Sequence, residues 1–179
     1  MWITLVLIAL FLATDQVTKF LAETLIKEFR TIEAIPHVLD LTLVYNKGAA
    51  WGFLSNNTWI LVIISILGSI LLGWYAYKND WKTKKILSLG VTMAFAGCVG
   101  NLIDRFMSVI PSLAKIRPGV VDMISFEPLN ALSRLFTGYD FPVFNVADAF
   151  LVVGVILISI DIIFFEEKRN KENENSNWW

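Results

Sequence analysis

The chain has 179 residues, of which 56% are hydrophobic and only 17% are charged, so it is much more apolar than an ordinary soluble domain of that length. Its formal net charge of -1 argues against nucleic-acid binding, which needs clustered lysines and arginines without compensating acids. Cys98 is the only cysteine and His37 the only histidine, which excludes an internal disulfide, a zinc cluster and the His-Glu-x-x-His chemistry of metalloproteases.

Four apolar stretches have close to the ~20 residues that a helix needs to cross the hydrocarbon core of a bilayer. They cover approximately residues 2–21, 58–77, 86–110 and 146–165. The N-terminal stretch lacks the basic leader and the small-residue cleavage pattern of a removed signal peptide, so we expect it to remain as a membrane span. The sequence thus predicts one membrane-embedded, all-α domain over residues 1–165, followed by a polar cytoplasmic tail at 166–179.

The orientation of these spans follows from the lysines and arginines of the short loops, which favour the cytoplasmic side. These residues are Lys78, Lys82, Lys84 and Lys85 between the second and third spans, and Lys168, Arg169 and Lys171 after the fourth. We therefore predict that both termini are cytoplasmic and that the two longer connections, 22–57 and 107–144, lie on the outer face.

The outer connections carry weaker signals of local structure. Residues 38–45 are rich in strand-forming types with partial alternation, and the turn-like sequence Asn46-Lys47-Gly48 follows them. This pattern predicts a small extracytoplasmic sheet at the membrane surface. The second connection is interrupted by prolines and glycines, and it contains a predicted short helix near residues 129–136.

Polar residues interrupt the first and third spans. Asp15 and Lys19 are four residues apart, so on a helix they share one face and neutralise each other where isolated charges are costly. Such a pair is either purely structural or part of a functional site, and the spacing alone leaves both readings open.

Small and polar residues of the third span recur at intervals of three and four, which puts them on one face of a helix. They are Gly97, Gly100, Asn101, Asp104 and Arg105. The glycines permit close approach of another backbone. The guanidinium of Arg105 can hold a carboxylate or a substrate carbonyl, or it anchors the helix end at the interface.

Two aspartates lie among apolar residues at the predicted outer membrane level, Asp122 within VVDMI and Asp148 at the start of the fourth span. A carboxylate in that setting is costly unless it is paired, hydrated or functional, so each is a candidate catalytic residue. Helix capping is the structural alternative for Asn145 and Asp148. If the two aspartates meet, one ionised carboxylate can take a proton from water while its protonated partner donates to a peptide carbonyl oxygen.

Five blocks of sequence stand out in order along nearly the whole chain. They are DQVTK at 15–19, NKGAAWG at 46–52, GCVGNLIDR at 97–105, VVDMI at 120–124 and FNVAD at 144–148. These blocks resemble the motifs of the bacterial lipoprotein signal peptidase family, also called signal peptidase II. Each motif alone is modest, but five in the same order with matching topology are highly specific.

The resemblance implies a four-helix membrane aspartyl endopeptidase with a small extracytoplasmic β-cradle, which cuts prolipoproteins before a cysteine that carries diacylglycerol. It implies these roles: catalytic, Asp122 and Asp148; substrate-binding, Asn46, Gly48, Asn101, Arg105 and Asn145; supporting, Asp15, Lys19 and Asp104. We further expect no metal and no organic cofactor, and inhibition by globomycin-like cyclic peptides. We expect the protein to be a monomer that contacts membrane lipid in the bacterial cytoplasmic (inner) membrane, with its active site near the outer leaflet.

The chain departs from the family pattern at three places. Ala96 stands where the third-helix motif usually has glycine, and Cys98 where it usually has alanine. Both changes are tolerable in a packing face. The stretch 125–141 is longer than the usual spacing between the two catalytic blocks, which leaves the shape of the outer lid open.

Two other classes of function compete with this interpretation. In a small ion- or proton-coupled transporter, buried charges would form a relay across the membrane. The relay residues would be Asp15, Lys19, Asp104, Arg105 and Asp148. A structural assembly subunit, the third class, would tolerate neutralisation of Asp122 or Asp148 apart from effects on stability.

Overall fold

A computed structural model of the chain describes residues 1–28, 30–48 and 57–169. Its helices are α1 (Trp2–Leu25), α2 (Thr58–Tyr77), α3 (Lys85–Val109), the short α4 (Glu127–Thr137) and α5 (Val146–Asp161). A π-helical turn, Ile162–Glu166, extends α5 so that this span reaches Arg169. Four of these helices, all except α4, are long and apolar enough to cross a membrane, which confirms the predicted number of spans.

The helices run further than the apolar stretches that predicted them. The predicted first span stops near residue 21, whereas α1 ends at Leu25. Hydropathy marks where apolar residues stop, but residues such as Ala22 and Glu23 have good helix propensity and continue the backbone hydrogen bonding. Within the predicted tail at 166–179, residues 167–169 are helical and 170–179 lie outside the described part of the chain.

A three-stranded antiparallel sheet with the order β1-β2-β3 lies at one end of the bundle. Its strands are β1 (Thr31–Ile35), β2 (Leu39–Asn46) and β3 (Val120–Phe126). The sheet confirms the second part of the predicted fold class, although β1 has no counterpart among the predicted elements. All five residues of β1 are exposed, so this strand lacks the alternation that marks a half-buried strand in a sequence.

Glycines bring α3 and α5 unusually close together. A Cβ atom on Gly97 would lie 2.3 Å from the carbonyl oxygen of Ala147, and one on Gly90 would lie 2.8 Å from that of Gly154. Only a residue without a side chain permits this approach of two helix backbones. As a consequence, the polar end of α3 lies directly beside the first turn of α5.

The sheet is fixed to the bundle by a small apolar core and by backbone hydrogen bonds. The core consists of Ala22, Ile26, Leu43, Val121 and Met123. The segment before α5 also pairs with β3, because the Phe144 amide donates to the Ile124 carbonyl oxygen at 3.0 Å and the Ile124 amide donates back at 2.8 Å. Strand β3 is thus held against the beginning of α5.

Candidate active site

Asp122 lies in the middle of β3, opposite Val44 of β2, and its side chain points into the space between the sheet and the bundle. The residue is only 2% exposed. Its Oδ1 accepts a hydrogen bond from Asn145 Nδ2 at 2.7 Å, and its Oδ2 accepts one from Asn46 Nδ2 at 3.0 Å. Two amide side chains therefore orient a nearly buried carboxyl group.

Asp148 lies in the first turn of α5, where it takes part in a capping box with Asn145. The Asp148 amide donates to Asn145 Oδ1 at 2.9 Å, and the Asn145 amide donates to Asp148 Oδ2 at 3.2 Å. The other carboxyl oxygen of Asp148 accepts from Asn101 Nδ2 at 2.7 Å. Helix capping and membership of the polar cluster are therefore compatible roles for these two residues.

Asn145 connects the two aspartates. Its side-chain nitrogen donates both to Asp122 Oδ1 and, at 3.0 Å, to Asn101 Oδ1, while Asn101 in turn donates to Asp148. The residue is completely buried. A continuous hydrogen-bonded chain thus joins carboxyl groups that come from β3 and α5.

Both aspartates line one cavity of about 470 Å³ between the sheet, α3 and α5. Apart from the two carboxyl groups, Asn46 and Arg105, its wall is apolar and includes Val152 and Val153 of α5. The cavity therefore presents two acids at one end and a hydrophobic surface along the membrane-spanning helix.

The setting of Asp122 favours its protonated form. Burial and, to a smaller extent, the charge of Asp148 raise the pKa of Asp122 to about 7. The hydrogen bonds from Asn46 and Asn145 act in the opposite direction, because they stabilise the ionised carboxylate. Near neutral pH this carboxyl group is therefore balanced between its two forms.

Lys19 joins α1 to the polar end of α3. Its ammonium group lies 3.0 Å from Asp15 Oδ2 and 2.7 Å from Asp104 Oδ2, and it donates to Asn101 Oδ1 at 3.1 Å. The lysine and both aspartates are at most 1% exposed. Asp15 also accepts from the Ala147 amide at 3.0 Å, so the three charged residues brace Asn101 and the start of α5 rather than line the cavity.

Arg117 belongs to the same buried network and was missed by sequence reasoning. It is 8% exposed, its Nη1 lies 2.6 Å from Asp104 Oδ1, and its Nε donates to Glu23 Oε1 at 3.1 Å. A lone arginine in a loop gives no periodic signal. Nothing in the sequence around Arg117 shows that the fold buries it beside Glu23 and Asp104.

The remaining predicted site residues, Arg105 and Gly48, lie at the edge of this arrangement. Arg105 lines the cavity and donates through Nη1 to Ser65 Oγ at 3.2 Å, while its buried Nε has no partner among the described residues. The Gly48 amide donates to Asn46 Oδ1 at 3.0 Å, which holds the Asn46 amide nitrogen toward Asp122. The second half of this motif, 49–52, lies outside the described residues.

Four membrane-length helices, a small sheet at one end and two linked carboxyl groups in a shared cavity are the architecture expected of a membrane-embedded aspartic peptidase. A family model described as signal peptidase (SPase) II matches residues 7–164. The lipoprotein signal peptidase of Staphylococcus aureus strain bovine RF122 / ET3-1 is 37% identical over 172 residues, covering 96% of this chain and 93% of its own. The chain belongs to the signal peptidase II family.

Two solved structures, both described as bacterial membrane enzymes studied by the in meso method, are also similar to this chain. Each is 33% identical, with TM-scores of 0.72 and 0.71. They cover 96% and 92% of this chain, which in turn covers 92% and 95% of theirs. This family membership does not favour the alternative of a small coupled transporter.

Proposed function

We propose that Asp122 and Asp148 are the catalytic pair of this enzyme, a membrane aspartic endopeptidase that cleaves the signal peptides of prolipoproteins. The observation that carries the assignment is the hydrogen-bonded chain from Asp122 through Asn145 and Asn101 to Asp148, inside one cavity. Two carboxyl groups that share a site can divide acid and base roles between them.

The division of roles follows from the two environments. Asp122 has a pKa raised to about 7, so it supplies the acid, whereas Asp148 lies at the N-terminal end of α5, where the helix dipole favours a negative charge. Asp148 takes a proton from water as the water oxygen attacks the peptide carbonyl carbon, and Asp122 donates its proton to the carbonyl oxygen. When the C–N bond breaks, the leaving amine takes up the proton from Asp148, and Asp122 takes back a proton from a hydroxyl group of the tetrahedral diol, so both carboxyl groups return to their starting forms.

The cavity suits a lipidated precursor. Its apolar wall along Val152 and Val153 can take hydrocarbon, which supports cleavage before a diacylglyceryl-modified cysteine. Asn46 and the Nε of Arg105, which has no partner within the described part of the chain, provide polar groups for the substrate backbone near the acids. A globomycin-like cyclic peptide would compete for the same space, because it combines an apolar surface with peptide groups.

The enzyme is a multi-pass protein of the bacterial cytoplasmic membrane, in keeping with its four spans and its bacterial relatives. We place both termini in the cytoplasm and the catalytic pair near the outer leaflet, because the short connection between α2 and α3 and the segment that follows α5 are rich in lysine and arginine. Residues 1–165 form the single peptidase domain in this proposal, and the enzyme acts as a monomer.

The decisive experiment reconstitutes the purified chain with a diacylglyceryl-modified precursor and follows release of the signal peptide. Asp122→Asn and Asp148→Asn should each reduce cleavage to background, because neither variant can complete the proton transfers. Asp40→Asn is the matched control, since Asp40 lies on β2 and is not among the cavity-lining residues. It should retain cleavage near the wild-type rate.

Cleavage by either catalytic variant at near the wild-type rate would refute the assignment. Melting temperatures of the variants in detergent should stay close to that of the parent, which separates lost chemistry from lost folding. A variant that unfolds instead would be replaced by Asp→Glu at the same position, which keeps the charge but displaces the carboxyl group and should still abolish most activity.

A further inference from the structure

The polar side chains of α4 interact with one another and with the residues that flank this helix. Arg134 donates to Glu127 at 2.7 Å and is also paired with Asp140. Asn130 donates to Glu127 Oε2 at 3.1 Å and to Ser125 Oγ, at the end of β3, at 3.2 Å. The charged groups of this helix therefore pair with one another on a partly exposed face, while Asn130 is buried against the end of β3.

The opposite face of α4 is apolar and exposed. Leu132, Leu135 and Phe136 recur at intervals of three and four, so they lie on one side of the helix. They are 52%, 81% and 82% exposed, and Tyr139, just beyond the left-handed C-terminal residue Gly138, is 75% exposed. Across residues 1–28, 30–48 and 57–169, little protein covers this face.

The position of α4 places this face next to the lipid-facing surface of the bundle. Leu129, in the first turn of α4, lines the same cavity as Val152 and Val153 of α5. One turn further along α5, Val155 and Ile156 are 51% and 50% exposed on a helix long and apolar enough to span the membrane. The exposed face of α4 thus continues an apolar surface that the bilayer already covers.

We propose that α4 is an interfacial helix that inserts the face formed by Leu132, Leu135, Phe136 and Tyr139 into the leaflet at the Asp122 end of the bundle. An amphipathic helix lies in the plane of the interface when its apolar side can enter the boundary between headgroups and acyl chains. Aromatic residues such as Phe136 and Tyr139 suit that depth. By holding α4 at the membrane surface, lipid also fixes the position of Leu129, which lines the cavity that contains the two aspartates.

Spin-label accessibility tests this placement directly. In a Cys98→Ala background, single cysteines replace Leu135 or Phe136 on the apolar face, and Thr137 or Ser133 on the polar face. Each labelled full-length protein is reconstituted in phosphatidylcholine–phosphatidylglycerol vesicles, and collisions with oxygen and with a water-soluble nickel chelate are measured. The ratio of oxygen to nickel collisions should be at least several-fold higher at positions 135 and 136 than at 137 and 133.

Two outcomes would overturn the proposal. Equal ratios at all four positions, with high nickel accessibility, would mean that the helix stands in water. Low accessibility to both reagents at 135 and 136 would mean that protein, such as a second copy or another segment of the chain, covers the face. The readout needs no cleavage, so it is independent of the catalytic assignment of Asp122 and Asp148.

Discussion

At the scale of single residues, Asn145 forms hydrogen bonds with both aspartates of the site. Its side-chain nitrogen serves Asp122 and Asn101, its side-chain oxygen accepts from the Asp148 amide, and its own amide donates to Asp148. Its carbonyl oxygen accepts from the Ala149 amide. One completely buried side chain therefore sets the relative position of both acids.

Replacing Asn145 by leucine should lower kcat about 100-fold, because misplacement of reacting groups by about 1 Å costs that much. Single-turnover cleavage of a lipidated precursor measures the effect. Asn79→Leu is the control. The side chain of Asn79 also donates partly buried hydrogen bonds, but to Ser88 and Thr92 in the first half of α3, away from the two aspartates. A loss of thermal stability in both variants with unchanged kcat would show that Asn145 only supports the fold.

The raised pKa of Asp122 predicts the pH dependence of the reaction. Below pH 7 the group holds the proton that the acid step needs, and above its pKa of about 7 it loses that proton. Because the acid form of Asp122 decreases tenfold for each pH unit above its pKa, kcat/KM should fall about tenfold for each pH unit on the alkaline side. A profile of kcat/KM between pH 5 and pH 9 measures this limb, because kcat/KM reports the pKa values of the free enzyme.

Asn46→Leu provides the internal check on that assignment. The hydrogen bond from Asn46 lowers the pKa of Asp122, so its removal should move the alkaline limb to higher pH, whatever happens to the maximal rate. An unmoved limb would show that a group other than Asp122 controls it.

At the scale of elements, the contact of α3 with α5 depends on Gly97. A Cβ at this position would lie 2.3 Å from the Ala147 carbonyl oxygen and 2.8 Å from the Leu151 amide nitrogen. Gly97→Ala should therefore push the two helices apart, destabilise the protein by roughly 1–3 kcal/mol, and reduce cleavage by drawing Asn101 away from Asp148. Chemical or thermal unfolding in detergent measures the first effect and the cleavage assay the second.

Gly68→Ala is the matched comparison, because among the described residues its Cβ would meet only Cys98 Sγ, at an ordinary contact distance of 3.4 Å. It should fold and cleave like the parent. If the two alanine variants behaved alike, close packing of α3 on α5 would not be what positions the site.

Helices were easier to predict than strands in this chain, and the reason is physical. A membrane span is specified by its own 20 or so apolar residues, so α2 and α3 could be predicted almost to the residue. All residues of strand β1 are exposed, and its pairing has a bulge between Glu33 and Ile35. The strand forms because its backbone can hydrogen-bond with β2. Pairing between distant segments leaves little trace in either segment alone.

At the scale of the whole molecule, Arg117 ties three parts together. It pairs with Glu23 of α1 and with Asp104 of α3, and it precedes β3 by only a few residues. Arg117→Met would remove the cation that pairs with Glu23 and Asp104 and would leave their carboxylates without that partner. We expect a loss of about 3–5 kcal/mol in the free energy of unfolding, as for other broken buried pairs.

The control for Arg117 is Arg134→Met, which removes an arginine that also pairs with two carboxylates, Glu127 and Asp140, but on the exposed helix α4. Solvent screens that pair, so little change is expected. Unfolding by sodium dodecyl sulfate titration compares the two variants under identical conditions. Equal losses in both would contradict a special role for the buried network.

The buried network also marks the limit of prediction for the candidate site. Asp122, Asp148, Asn145 and the polar face of α3 could be singled out because polar groups beside hydrocarbon are rare and need a reason. Arg117 could not, because a charged residue in a loop is ordinary until the fold buries it. Its role depends on the three-dimensional meeting of a loop with α1 and α3, which no local pattern encodes.

Because the ribosome delivers the chain from its N-terminus, the members of this network reach the bilayer at different times. Asp15 and Lys19 arrive together and neutralise each other. Asp104 follows with α3, and its partner Arg117 is synthesised thirteen residues later. A nascent chain that stops short of Arg117 thus holds three carboxylates of this network, Asp15, Glu23 and Asp104, against the single cation Lys19. We therefore expect the bundle to close only after Arg117 and the strand that bears Asp122 have been delivered.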